Sequence, residues 1–150
     1  QENLNMKERI ILQDILLEAI DNASLNEIMN MGKIKIDLEP VILEGNRDLL
    51  IRMIENLLRN AYESHSTDSI DIKISGELAH KAYIFKVKDA GVGIDNSEDI
   101  FKPFFTTKNY GTGLGLQVVR DAVNRHGAEL TIEKNVLGGA TFIVKFNSLN

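Results

Sequence analysis

The 150-residue chain predicts an α+β fold: a two-layer α/β sandwich in which a mixed, mostly antiparallel sheet is covered on one face by three helices. Three observations predict it. Apolar stripes at helical spacing recur over residues 8–29, 47–64 and 114–126. Short alternating runs stand between and after them: Ile34-Ile36-Leu38, Ile70-Ile72-Ile74, Tyr83-Phe85-Val87, Leu130-Ile132 and Phe142-Val144-Phe146. Several of these runs follow one another with only a turn between, which favours antiparallel neighbours and leaves the helices to form a separate layer.

The elements follow in order. Residues 8–29 carry Ile10, Ile11, Ile15, Leu16, Ala19, Ile20 and Ala23, a helical pattern that breaks near Asn22 and Ser24. Gly32 resets the pattern, residues 33–39 alternate as a strand, and Pro40 ends it. A second short strand over 41–43 stops at Gly45-Asn46. Residues 47–64 make the strongest helix, with Leu50, Met53, Ile54, Leu57, Leu58 and Ala61 on one stripe. Asn56 and Asn60 stack along the border of that stripe, and Glu63 falls on the same side. Asparagine is a poor helix-interior residue because its amide competes for backbone hydrogen bonds, so the pair suggests either a binding task or a bond to a neighbouring loop.

After a polar loop, two strands joined through residues 76–81 run into Asp89-Ala90-Gly91-Val92-Gly93-Ile94, which sets a carboxylate where backbone can approach closely. Residues 96–100 read as a short helical turn. Gly111, Gly113 and Gly115 then lead into the helix of 114–126, which Gly127 stops. A helix N-terminus behind glycines offers unpaired N–H groups and partial positive charge, a setting that suits phosphate, and Lys108 adds a cation nearby. Such a glycine pattern alone is equally an ordinary turn. Two last strands are joined at Gly138-Gly139.

Bulk properties exclude several classes. Length and a 43% hydrophobic content suit a single domain, 1–150. A net charge of −5 with interspersed signs gives no basic stripe for nucleic acid. The absence of cysteine excludes disulfides and thiolate metal sites, and it is compatible with a cytoplasmic location. No apolar run reaches the ~18 residues of a membrane span, so no membrane contact by this domain is expected. The opening at Gln1, in polar helix-favouring sequence, reads as a piece of a longer parent.

Four segments now stand in one order: NLLRNAYES (56–64), DAGVGI (89–94), FKPFFTTK (101–108) and GTGLGL (111–116). They resemble the N box, first glycine box, F box and second glycine box of the sensor histidine kinases. Those kinases belong to the GHKL superfamily with gyrase, the heat-shock chaperone ATPases and the mismatch-repair ATPases. The form here is most similar to nitrogen-regulation and sporulation-type kinases, and the resemblance spans residues 35–146.

That resemblance implies a domain that binds ATP and Mg2+ and transfers the γ-phosphoryl group to a histidine on a separate dimerisation and phosphoacceptor domain. It assigns Asn60 as magnesium ligand and Asn56 as its companion near the phosphates, with Glu63 where many relatives carry lysine. Asp89 would accept from the adenine amino group, beside Gly91, Gly93 and Ile94. Lys108 would steady the terminal phosphate, and Gly111, Thr112, Gly113, Leu114 and Gly115 would hinge and cradle as part of a mobile ATP lid over 101–113. Thr141 would join a water network near the base, although an ordinary strand threonine fits it better. Arg59 is a further candidate for phosphate neutralisation. Phe101, Phe104 and Phe105 would anchor the lid or meet a neighbouring domain.

None of His65, His80 and His126 sits in a phosphoacceptor setting; His65 and His80 read as loop residues and His126 as a cation at a helix end. Residues 1–30 would then be linker and first helix, downstream of the acceptor hairpin. The fragment is expected to be monomeric, the parent a homodimer that a membrane can anchor and that signals to a response regulator. Two other functions compete. An ATP-driven clamp would need a glutamate four residues before the magnesium ligand, where this chain has Asn56. A non-catalytic binding module is disfavoured by four intact boxes.

Overall fold

The computed structural model describes residues 7–65, 69–91, 113–135 and 138–147, with 113 and 114 described in backbone only. The order is β1 (Glu8–Ile11), α1 (Leu12–Asn22), α2 (Asn26–Asn30), β2 (Ile34–Leu38), β3 (Ile42–Gly45), α3 (Arg47–Glu63), β4 (Ile72–Ala79), β5 (Ala82–Asp89), α4 (Gly113–Arg125), β6 (Glu129–Lys134) and β7 (Ala140–Phe146). Five strands form a mixed sheet in the order β2-β4-β5-β7-β6, and β1 pairs with β3 in a separate ribbon. Only β2 runs parallel to its neighbour; β4, β5, β7 and β6 pair antiparallel. This is the expected α+β sandwich, with β4 and β5 the expected antiparallel neighbours.

Helix α3 is the centre of the helical layer and packs against both α1 and α4. Its start is capped by Asn46, whose side chain accepts from the Leu49 N–H at 3.0 Å, and Asp48 complements the positive end of the helix. Leu57, Leu58 and Ile54 are fully buried against Ile72, Ile74, Phe85, Val87, Phe142 and Val144 on the inner sheet face. Burying one such side chain contributes about 1.5–3 kcal/mol, so this stripe fixes how α3 lies on the sheet.

Three expectations need correction. The first helix does not begin at residue 8: Glu8–Ile11 is a strand, with Ile10 opposite Leu43 and only Ile10 buried. Residues 42–45 supply a long-range pairing partner that overrides local helical spacing. Helix α1 then ends at Asn22, Ser24 adopts φ 61°, and α2 is a separate short turn of helix, so four helices are present among the described residues. The third correction concerns the link between β4 and β5. Both strands run on to a two-residue turn at His80-Lys81, with φ values of 50° and 66°, and Gly76 lies mid-strand opposite Phe85. Positive φ at both central positions matches the twist of the flanking strands.

Tyr83 is buried across Gly76, and its hydroxyl donates to the Glu39 carbonyl at 2.8 Å. Burial, with a smaller contribution from the Glu39 charge, pushes the phenol up to about 12, so it stays a donor throughout the physiological range. Tyr83→Phe should lower the unfolding free energy by about 1 kcal/mol, read as a shift of the urea midpoint at unchanged m-value.

His126 also departs from expectation. Its Nδ1 donates to the Ala122 carbonyl at 2.7 Å, and its Nε2 accepts from the Asn46 N–H at 3.0 Å. Accepting that N–H requires an uncharged ring. The residue therefore ties the end of α4 to the start of α3 instead of placing a cation at a helix terminus.

Candidate nucleotide-binding site

The C-terminal half of α3 meets the end of β5, and the polar residues singled out in the sequence converge there. Asn60 is on α3 and only 4% exposed; Asp89 closes β5 and is 1% exposed. Ser64 lies one turn beyond Asn60, and its hydroxyl donates to the Ala61 carbonyl at 2.8 Å. Gly91 packs on Ser64 so closely that a Cβ there would collide with the Ser64 backbone. The amide-bearing end of α3 and the carboxylate-bearing end of β5 thus share one corner of the sandwich.

Backbone groups fix the Asp89 carboxylate. Oδ1 accepts from the Gly91 N–H at 3.0 Å and from the Ala140 N–H at 3.2 Å. Asn135 Nδ2 donates to the Asp89 carbonyl at 2.6 Å. Gly139, at φ 85°, lies against that same carbonyl, where any Cβ would collide with it. Oδ2 is buried and has no hydrogen-bond partner among the described residues, and the same holds for Asn60 Nδ2. Buried polar atoms are almost always paired, so two orphans at one corner mark a place for a ligand. Burial pushes the Asp89 carboxyl above the usual carboxylate range. The N–H groups of Gly91 and Ala140 oppose that shift.

His65 completes the corner. Its Nδ1 donates to the Ala61 carbonyl at 2.7 Å; its Nε2 accepts from the Ala90 N–H at 3.1 Å and the Asp71 N–H at 3.3 Å. The sequence reading treated it as a loop residue and missed it, along with Ser64, Asn135 and the role of Gly139. One signal was available for His65: it falls four residues after Ala61 at a helix end, where a side chain can reach back to a free carbonyl.

The remaining predicted residues divide. Asn56 is half-buried on α3, with its Nδ2 donating to the Arg52 carbonyl at 2.7 Å, and Glu63 is exposed. Gly113, Leu114 and Gly115 fall in the first turn of α4. Thr141 is only 8% exposed, but its hydroxyl donates to Asn135 Oδ1 at 2.6 Å and it pairs with Lys88 and Glu133. Strand alternation therefore sets its side chain on the outer sheet face, away from the Asp89 carboxylate. A cavity of about 590 Å³ lies on that outer face, lined by Lys73, Lys86, Lys88 and Thr141 and reached by Asp89 and Ala90, and it includes neither Asn60 nor Asn56. Arg59 points towards the end of α1: it bonds the Asn22 carbonyl at 3.4 Å and pairs with Glu55 at 3.7 Å. Gly93, Ile94, Lys108, Gly111 and Thr112 lie outside the described residues, as do Phe101, Phe104, Phe105, the turn expected at 96–100 and nearly all of the expected lid.

Residues 45–149 match the family described as histidine kinase-, DNA gyrase B-, and HSP90-like ATPase. The chain belongs to this family. Among curated proteins, it is 33% identical to the sensor protein CitS of Halalkalibacterium halodurans, over 92% of this chain and 30% of that protein. It is 30% identical to the sensor histidine kinase CpxA of Escherichia coli K12, over 96% of this chain and 33% of CpxA. Sporulation kinase A of Bacillus subtilis is 32% identical over 97% of this chain and 24% of that kinase. The chain thus spans about a third or less of the length of these relatives.

Among solved structures, the catalytic domain of histidine kinase ThkA superposes with a TM-score of 0.78 at 27% identity, covering 95% of this chain and 96% of that one. A mycobacterial sensor histidine kinase, MprB, shares the fold with a TM-score of 0.78 at 19% identity, over 96% of this chain and 99% of that one. No helix among the described residues of this family member is long and apolar enough to cross a membrane.

Proposed function

We propose that the chain is the catalytic ATP-binding domain of a sensor histidine kinase. It binds Mg-ATP at the α3–β5 corner and passes the γ-phosphoryl group to a histidine on a separate dimerisation domain of a homodimeric parent, upstream of a response regulator. The observation that carries this reading is the pair of buried, unpartnered atoms, Asp89 Oδ2 and Asn60 Nδ2. A carboxylate whose Oδ1 is fixed by two backbone N–H groups and whose Oδ2 is left over suits the exocyclic amino group of adenine. It would meet an acceptor at the equivalent position of guanine, which gives base selectivity.

The Asn60 amide would turn its carbonyl, a hard oxygen donor, to a magnesium ion carried in by the phosphates. Magnesium, when bound, supplies neutralisation of the charge that develops on the phosphoryl oxygens. The chain's own residues bind and orient: Asp89 the base, Asn60 and Asn56 the phosphate end. Lys108 and Gly111 would add to the phosphate end from the segment that precedes α4 in the chain. In the transfer, the bond from Pγ to the β–γ bridging oxygen breaks, a P–N bond to the acceptor imidazole forms, and ADP leaves with the bonding pair. An imidazole nitrogen needs little activation, so orientation and charge are the main contributions.

Hydrolysis has no base here among the described residues. Asn56 holds the position of the catalytic glutamate, and neighbouring Glu55 is bonded to Asn22 at 2.8 Å and paired with Arg59. The test is to mix the chain with γ-labelled ATP, magnesium and a histidine-bearing hairpin from the parent protein. Acid-labile, base-stable label should appear on the hairpin, with very slow phosphate release in its absence. Brisk release without transfer would sink this reading in favour of an ATP-driven clamp.

A further inference from the structure

We infer that His65 is a positioning residue for base recognition. It sets the Asp89-Ala90-Gly91 segment against α3, so that the unpartnered carboxylate oxygen stands at a fixed distance from Asn60. This rests on the nucleotide-site reading above.

Three bonds carry the inference. Nδ1–H donates to the carbonyl of Ala61, the residue directly after Asn60. Nε2 accepts from Ala90, the residue directly after Asp89, and shares its lone pair with the N–H of Asp71, the residue just before β4. One rigid ring therefore joins the neighbours of both proposed ligand residues. The first bond fixes the tautomer, because a ring that donates from Nδ1 and is uncharged must accept at Nε2. Without the ring, the Ala61 carbonyl would keep the Ser64 hydroxyl, but the Ala90 N–H would need another partner. Asp89 Oδ1 would keep its bonds to Gly91 and Ala140, but the short segment carrying Gly91 would lose its link to the helix. The expected consequence falls on the direction of Oδ2, and so on adenine rather than on phosphate.

His65→Gln separates positioning from bulk stability. Its side-chain oxygen can stand where Nε2 stands and accept from Ala90, while the bond to Ala61 is lost. Calorimetric titration of the full chain with Mg-ATP and Mg-GTP is the measurement. His65→Ala should weaken ATP about 10-fold or more with GTP affinity little changed, so that base discrimination falls; His65→Gln should restore most of it. In the unliganded wild type, long-range 1H–15N spectra should show the Nδ1–H tautomer at His65.

Equal ATP affinity in His65→Ala, parallel loss of ATP and GTP affinity, equal loss in both variants, or an Nε2–H tautomer would each overturn the inference. If His65→Ala does not fold, the glutamine variant and the tautomer decide it. A wild-type chain that binds no ATP would instead overturn the proposed function, and the tautomer would still report on the clamp.

Discussion

Asp89→Asn should weaken ATP binding about 100-fold or more while leaving the unliganded fold as stable as the wild type at pH 7, or more stable. The two effects have one cause. Oδ1 accepts from two backbone N–H groups, so the amide of the variant is forced to put its oxygen there as well. Its NH2 then occupies the place of the unpartnered Oδ2 and faces the adenine amino group, donor against donor. Loss of a charge-assisted bond costs about 1.5–3 kcal/mol, and the opposed donors add to it; about 2.7 kcal/mol is 100-fold in affinity. Flipping the amide would relieve the ligand only by setting its NH2 against Gly91 and Ala140.

Stability moves the other way because burial holds the Asp89 carboxyl above its ordinary range. The folded state thus prefers the protonated acid more than the unfolded chain does. This contribution is complete below the unfolded value of about 4 and is lost as pH rises through the raised folded value. The asparagine variant has no such dependence. The gap in Tm between variant and wild type, without nucleotide, should widen in the variant's favour as pH climbs out of the acid range, then level off once the carboxyl is fully ionised. Thermal melts from pH 4 to pH 8 give this directly. A variant that melts lower than wild type at neutral pH would mean that Asp89 is a structural turn residue, and unchanged ATP affinity by calorimetry would remove it from the base site.

The sheet was legible because its inner face alternates cleanly, from Ile72-Ile74 through Phe85-Val87 to Phe142-Val144, and burial on one face fixes register. Helix α3 was legible for the matching reason at helical period. Strand β1 was not, since Ile10, Ile11 and Ile15 satisfy a helix pattern locally and the pairing with β3 depends on residues more than thirty positions away. Asn60 stood out because asparagine is out of place in a helix interior, and Asp89 because a carboxylate at a strand end before two glycines lies where backbone can approach closely, although a turn-initiating Asp is common there. His65 and Asn135 did not, because their partners are backbone atoms, which leave no mark in side-chain patterning. Thr141 entered only through the resemblance, with an ordinary strand threonine as the better fit, and strand alternation applied from buried Phe142 sets it on the outer face.

Asn60→Ala should abolish magnesium-dependent phosphorylation of an acceptor hairpin supplied in trans, lowering its rate about 100-fold or more, since a metal clamp on the phosphoryl oxygens is worth several kcal/mol. The melting temperature should not fall with it. A structural asparagine inside a helix has partners, and removing it leaves those partners bare at about 1–3 kcal/mol each. Among the described residues Asn60 Nδ2 has none, so truncation removes a buried, unsatisfied donor, and that gain offsets the small cavity left behind. Glu55→Gln is the matched control one position along: it weakens the surface links to Asn22 and Arg59 and should leave transfer intact. A loss of melting temperature in Asn60→Ala that tracks the loss of transfer would make Asn60 a packing residue. Full transfer by Asn60→Ala, or loss of transfer in Glu55→Gln, would move the phosphate end of the site off this face of α3.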